Sequence, residues 1–216
     1  MTRAEIKRQV RLLGQHYFSG DLDQDPFGLD LLVNETANDV ARLTDCLIGR
    51  RYLDTVVGTD EYCASDLYRI KNVMVLNDDL NYKRMRIVEW YEGNNDVYRR
   101  DVQPSTPTHA LIFGPNRIKL YPSPSVSTTN GIMIEGYSIP GDTWTYDTSG
   151  NPSTTPADQQ DCPLPSIAHD CVVYGVLYKK AVQQRDMEMV PYYQGEYEKR
   201  MGMVESFAST YARRAT

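Results

Sequence analysis

Residues 108–114 read Thr-His-Ala-Leu-Ile-Phe-Gly, residues 116–124 Asn-Arg-Ile-Lys-Leu-Tyr-Pro-Ser-Pro, and residues 131–140 Gly-Ile-Met-Ile-Glu-Gly-Tyr-Ser-Ile-Pro. Short apolar runs rich in Ile and Tyr and cut by Gly and Pro predict β-strands near 108–114, 116–121 and 131–138. Helical periodicity lies on both sides of this stretch. The layout therefore predicts a β insert between two helical halves.

Upstream, strand patterns continue. Arg51–Val57, Thr59–Tyr62 and Ile70–Leu76 alternate or run apolar, with turn residues Gly58 and Asn77-Asp78-Asp79 between or after them. Tyr82–Glu92 fits either a short helix or a strand, leaning to helix over Arg86–Tyr91. Together these predict an antiparallel sheet or small sandwich.

The flanks change period. Thr2 with Glu5 is a capping-box pattern, and Ile6, Val10, Leu13 and Tyr17 share one helical face, predicting a helix from about Ala4 to Tyr17. Asp25-Pro26 is an N-cap and first-turn signal for a second helix, whose stripe runs from Leu29 to Leu47 and ends before Gly49. After the insert, Pro165 opens a helix with Ile167, Cys171, Tyr174, Tyr178 and Ala181 on one face. A last helix carries Tyr193, Tyr197, Met201, Val204, Phe207 or Ala208, and Tyr211 on one stripe, braced by Glu196 and Arg200 at i,i+4. No one stripe can be buried alone, so the expected fold is α+β: a four-helix bundle, two helices N-terminal and two C-terminal, with an inserted antiparallel sheet or sandwich. The expected divisions are 1–49 with 163–216 for the bundle, 50–140 for the β insert, and 141–162 as a long polar loop. That loop holds four Asp and no Lys or Arg, and starts with Trp144 and Tyr146. Loops of this length are commonly functional, so the two aromatics are candidates for docking, weighed against simple packing on a sheet edge.

Composition narrows the function. With 23 Lys and Arg against 29 Asp and Glu, the net charge of −6 disfavours general binding to duplex DNA. No window reaches the ~20 apolar residues of a membrane span, and the N-terminus has no apolar signal segment, which points to a cytoplasmic origin. Cys46, Cys63, Cys162 and Cys171 show no CxxC pair and no metal spacing, as expected of free thiols.

Candidate chemistry is sparse. His169, Asp170 and Cys171 are adjacent on one helix and would point in different directions, so they suit helix positions near a positive end better than a thiol-protease site. His16 and His109 are solitary, and no metal-type spacing occurs. Asp21, Asp23, Asp25 and Asp30 alternate like a calcium loop but lack its glycine and its final glutamate, which favours a solvated turn with an N-cap. No phosphate-binding glycine motif or nucleophile elbow is present. Sixteen Tyr against four Phe fits either a chain with several neighbours or tyrosines filling strands and helix seams.

Taken in order, several pieces form a familiar series. They are Leu32-Val33-Asn34-Glu35-Thr36-Ala37, then Val57-Gly58-Thr59-Asp60-Glu61-Tyr62 leading to Leu67-Tyr68-Arg69-Ile70, then Pro107 and Ile118-Lys119-Leu120-Tyr121-Pro122-Ser123-Pro124. Ile134-Glu135-Gly136-Tyr137 with Pro140 follows, then Leu164-Pro165 before His169-Asp170, and Tyr192-Tyr193 to Met201. In that order and spacing the chain resembles the head-to-tail adaptor (connector, or neck) proteins of tailed bacteriophages over nearly its whole length. The resemblance implies a structural virion protein, assembled in the host cytoplasm, forming a ring, expected to be a dodecamer, between the portal and a tail nozzle or tail-tube protein. It implies a helical ring wall, a β region facing the tail, and a lumen through which genomic DNA passes without tight binding. It also implies a C-terminal tail reaching the portal, with Tyr211 as anchor and Arg213 and Arg214 meeting carboxylates. No enzyme activity, cofactor, metal or membrane is implied. The long loop at 141–162 departs from the family pattern, so tail contacts through Trp144 and Tyr146 do not carry over in detail. The competing readings are a β-sandwich module of a tail or fibre and, more remotely, a glycosidase with paired carboxylates.

Overall fold

The structure, a computed structural model, describes residues 1–18, 26–65, 67–77, 79–89, 103–140 and 161–214. These form two compact units, Met1–Leu47 with Ile139–Thr216, and Ile48–Ser138.

The first unit is helical. Helix α1 (Arg3–Leu13) starts where the sequence signals it: the Glu5 amide donates to Thr2 Oγ1 (3.2 Å) and the Thr2 amide to Glu5 Oε2 (2.8 Å). It stops earlier than Tyr17. The Gly14 amide closes on the Val10 carbonyl and a 3-10 turn (Gln15–Tyr17) carries Tyr17 inward instead. Helix α2 (Pro26–Thr44) begins at the predicted proline. Helices α3 (Ser166–Gln183) and α4 (Val190–Arg214) complete the unit. Ile6, Val10, Val33, Ala37 and Val40 meet Cys171, Val172, Val176 and Leu177 in one core. Burial of one such Val or Leu side chain stabilises the fold by about 1.5 to 3 kcal/mol.

The second unit is built of eight strands. β1 (Ile48–Thr55), β2 (Glu61–Cys63), β3 (Leu67–Leu76), β4 (Tyr82–Arg84), β5 (Arg86–Glu89), β6 (His109–Ile112), β7 (Arg117–Tyr121) and β8 (Thr128–Ser138) form two four-stranded sheets. One has the order β1-β8-β3-β4 and is antiparallel throughout; the other has the order β2-β7-β6-β5. Val73, Val75, Ile132 and Ile134 from the first sheet face Ala110, Ile118 and Leu120 from the second across a shared core. At Gly136 a Cβ would lie 2.4 Å from the Arg69 carbonyl oxygen. Only glycine admits β3 so close, beside the shift of register between Ile70 and Asn72.

The expected four-helix bundle with an inserted antiparallel sheet or sandwich is overturned. The described residues form a mixed α+β fold in which eight strands, in two four-stranded sheets, outnumber four helices, and one of the sheets contains a parallel pair. Residues from successive faces of α3 (Ala168, Cys171, Val172, Val173, Val176) are buried, and α3 packs against α1, α2 and α4. It is thus the centre of its unit rather than one of four equal stripes. The number of sheets was hidden because a period of two shows which residues alternate, not which strand each will pair with. The helix expected at Arg86–Tyr91 is also wrong where it is described: Arg86–Glu89 is strand β5, parallel to β6 with Ile87 opposite Ala110 and Val88 opposite Leu111. Ladder pairing outweighed a weak local preference there.

Candidate functional site

Helix α4 is the element on which the candidate docking residues lie. Its start is fixed by Asp186, whose Oδ1 accepts the Met189 amide (3.1 Å) and whose Oδ2 accepts the Tyr17 hydroxyl (2.8 Å). The Tyr17 hydrogen bond, with the backbone amides, holds the Asp186 carboxyl below the usual aspartate range. Burial and the Asp186 carboxylate push the Tyr17 hydroxyl up. Further along, Arg200 pairs with Glu196 one turn back, as the sequence indicates, and its guanidinium lies 3.8 Å from the centre of the Tyr174 ring on α3. The Tyr197 ring stacks on Tyr178, centroids 6.4 Å apart.

Within residues 190–210 of this helix, Tyr193, Met201 and Val204 are the buried positions, while Glu205, Ser206, Phe207, Ser209 and Thr210 are exposed. The backbone stays helical for ten residues after Val204, to Arg214, a rise of about 15 Å. Tyr211, Arg213 and Arg214 lie in this extension; their side chains are outside the described set. Trp144 and Tyr146, and the loop from 141 to 160, lie outside the described residues altogether.

The run His169-Asp170-Cys171 is not a reactive centre. His169 is buried with Nε2 2.9 Å from the Leu164 carbonyl oxygen and Nδ1 3.2 Å from the Met1 amino nitrogen. Asp170 faces solvent and Cys171 is fully buried, its thiol pushed up to about 12 by burial. Asp170, the fifth residue of α3, lies in the first turns of the helix, as the sequence reading has it. Cys46, Cys63, Cys162 and Cys171 all carry free thiols. Among the described residues no group of three His, Cys, Asp or Glu could hold a metal ion. A cleft of about 230 Å³ in the β unit, between Asn77, Leu80, Pro107, Pro124 and Val126, has no titratable side chain in its wall. No helix among the described residues is long and apolar enough to cross a membrane.

Two features escaped sequence reasoning. Asp30, grouped with a solvated turn, is instead buried on α2, where its Oδ1 lies 3.3 Å from Arg3 and 3.0 Å from Lys7. The β1-β8-β3-β4 sheet also concentrates cations: its strands carry Arg50, Arg51, Arg69, Lys71, Lys83 and Arg84 against Asp54 and Glu135. The basic positions were visible in the sequence, but only the strand registers show that they share a sheet.

The model of the SU10 adaptor protein family matches residues 1–216, the whole chain. No curated protein matches it. The chain belongs to the SU10 adaptor family of phage head-to-tail adaptors and is a structural component of a phage virion.

Proposed function

We propose that this SU10 adaptor family member assembles as a ring, a dodecamer, beneath the portal of a filled capsid, joins it to a tail nozzle or tail-tube protein, and lets DNA pass. The family match along the entire chain carries this reading. The helical unit is proposed as the ring wall, the β unit as the face toward the tail, and Trp144 and Tyr146 as tail contacts. The exposed positions Glu205, Ser206, Ser209 and Thr210 on α4 beyond Val204 are compatible with a docking role for this end of the helix. Tyr211 would be the buried aromatic anchor and Arg213 and Arg214 would meet portal carboxylates. The net charge of −6 suits a lumen that does not hold DNA.

Reconstitution with the portal of the same phage tests the proposal. Electron microscopy should show monomers or mixtures of the isolated chain turning into rings on the portal. Truncation after Ala208 should leave the fold intact and abolish co-sedimentation with portal. A portal-independent twofold dimer, or full portal binding by the truncated chain, would refute the respective parts.

A further inference from the structure

We propose that Asn130-Gly131, in the bulge of β8, is a self-modification site: the Asn130 side-chain amide is lost through a cyclic imide and replaced by a carboxylate, with water as the only co-reactant. The proposal does not rest on the ring reading above. The chemistry needs an asparagine whose side-chain carbonyl carbon is reached by the backbone nitrogen of the next residue. A side chain on that next residue obstructs the approach, and Asn130 is the one asparagine in the sequence that is followed by glycine. The fold itself calls for both residues. Asn130 has φ +52°, in the left-handed region that asparagine tolerates better than most side chains. At position 131 a Cβ would lie 2.7 Å from both Cγ2 and Oγ1 of Thr55 and 3.0 Å from the Thr128 carbonyl oxygen, so only glycine fits.

The reacting groups stand outside the ladders. The β1–β8 register passes from Leu53 opposite Ile132 directly to Thr55 opposite Thr128, and the β3–β8 register ends with Val75 opposite Ile132, so residues 129–131 pair with neither strand. Rearranging the bulge therefore breaks no ladder pair. Asn130 is exposed, and among the described residues its hydrogen bonds are those of its backbone: the N–H donates to Asp54 Oδ1 (2.7 Å) and the carbonyl accepts the Tyr82 hydroxyl (2.7 Å). The second of these activates the nucleophile. The Asn130 carbonyl belongs to the same peptide unit as the Gly131 N–H, and when that nitrogen gives up its proton the negative charge settles largely on this oxygen. A hydroxyl donating to it stabilises the charged form, as a donor does in an oxyanion hole. The Asp54 carboxylate opposes the charge, but it is exposed to screening water and sits one peptide unit back.

The deprotonated Gly131 nitrogen attacks the Asn130 side-chain carbonyl carbon and forms the new C–N bond. The bond to the side-chain nitrogen breaks, and that nitrogen leaves as ammonia with the proton Gly131 gave up. Water then opens the imide at either carbonyl, giving aspartate or isoaspartate. One water is consumed and one ammonia released, with no change of oxidation state. Both products set a new carboxylate beside Asp54, and isoaspartate adds Cβ to the backbone of β8, the strand that pairs with both β1 and β3.

The test incubates the full chain in water enriched in heavy oxygen, folded in one arm and unfolded by urea in the other, and follows the label by peptide mapping and mass spectrometry. Tyr82→Phe and Asn130→Gly, a residue that accepts the same φ, run alongside, each first shown by circular dichroism to fold like the unmodified chain. In the folded chain the peptide holding Asn130 should take up heavy oxygen before any other described asparagine does. Its rate should stay within about tenfold of the rate in the unfolded arm, as expected of a segment that opens at little cost. Tyr82→Phe should slow the folded chain by about tenfold and leave the unfolded rate unchanged; a merely structural loosening of the bulge would quicken the reaction instead. Asn130→Gly should abolish the label. A folded rate more than about tenfold below the unfolded one, or another described asparagine labelled first, would overturn the site. Label persisting in the same peptide of Asn130→Gly would overturn its assignment to Asn130. Equal folded rates for Tyr82→Phe and the unmodified chain would overturn the activating hydroxyl.

Discussion

Gly175, on α3, sits where three helices meet, and replacing it by Ala gives a sharp test of the helical core. A Cβ there would lie 2.5 Å from Thr36 Cγ2 on α2 and 2.8 Å from Tyr197 Cε2 on α4. Neither neighbour can yield cheaply. Thr36 is fully buried and β-branched, and the Tyr197 ring is stacked on Tyr178. Overpacking of this kind costs about 1 to 3 kcal/mol, offset by about 1 kcal/mol from the better helix propensity of Ala. With two contacts below 3 Å the upper half of the cost range applies, leaving a net loss of about 1 to 2 kcal/mol. That corresponds to a fall in Tm of about 2 to 8 °C for a chain of this size. Gly202→Ala on α4 is the matched control: nothing lies within 4 Å of its Cβ, so propensity acts alone and the variant should gain up to about 1 kcal/mol. Urea and thermal unfolding followed at the helical circular dichroism band would read both. Thr36→Ser deletes the nearest methyl group, so in the Gly175→Ala background it should recover about 0.5 kcal/mol or more as a coupling energy. Equal stability of the Gly175 and Gly202 variants would refute the tight helix junction.

The Asp30→Ala variant removes the carboxylate shared by Arg3 and Lys7 while leaving the Arg3 side chain fully buried, and should cost about 3 to 5 kcal/mol in urea unfolding. Arg3→Met/Asp30→Leu should cost less than Asp30→Ala; the reverse order would show that the pair itself is the stabilising element. With a thiol-reactive disulfide reagent, exposed Cys63 should react first. Cys162 and Cys171, with thiols pushed up by burial to about 11 and about 12, should react only as the helical unit opens; four equal rates would contradict this. Burial lowers the His169 imidazole pKa below its ordinary 6.5, so the unfolded chain binds the proton more readily. Its contribution is therefore fully present above pH 6.5 and is lost as pH falls from there through the lower value of the folded chain. Melts of His169→Gln should show a shallower acid-side loss than the unmodified chain, and identical slopes would exclude His169 as the source.

Local signals were legible and pairings were not. Thr2 with Glu5 marked the start of α1 because a capping box is complete within four residues. Pro26 marked the start of α2 for the same reason. Arg86–Glu89 could not be read, since its partner strand begins at His109 and the choice between helix and strand was made by that distant ladder. Asp30 was grouped with a solvated turn because a helical repeat does not say which neighbour will cover a stripe; here Arg3 and Lys7 of α1 do. The segment bearing Tyr211, Arg213 and Arg214 showed in its residues only the end of an amphipathic pattern, and its docking role came from the family resemblance; in the structure its backbone continues α4 to Arg214. The gathering of basic positions in one sheet depends on four strands and their pairing, so those residues carry no common signal along the chain.

The excess of tyrosine over phenylalanine has a physical account at named positions. Tyr17 donates to Asp186 (2.8 Å), Tyr62 to the Thr59 carbonyl (2.9 Å), Tyr82 to the Asn130 carbonyl (2.7 Å), and Tyr193 to the Leu13 carbonyl (3.4 Å). In each case the hydroxyl anchors a turn, a loop or the end of an element. Phenylalanine could supply the same ring area but no donor, forfeiting about 0.5 to 1.5 kcal/mol at each well-formed bond. Tyrosine is thus the residue that can seal an apolar seam and fasten its frayed end at once. Tyr52 and Tyr192 stand apart, 48% and 54% exposed. Each packs against another tyrosine ring, Tyr82 and Tyr193 respectively, yet leaves about half of its own surface to solvent. A large amphipathic ring held in place by a neighbour loses little conformational entropy when a second protein covers it. Among the described tyrosines, these two exposed rings are therefore well prepared for contact with another protein.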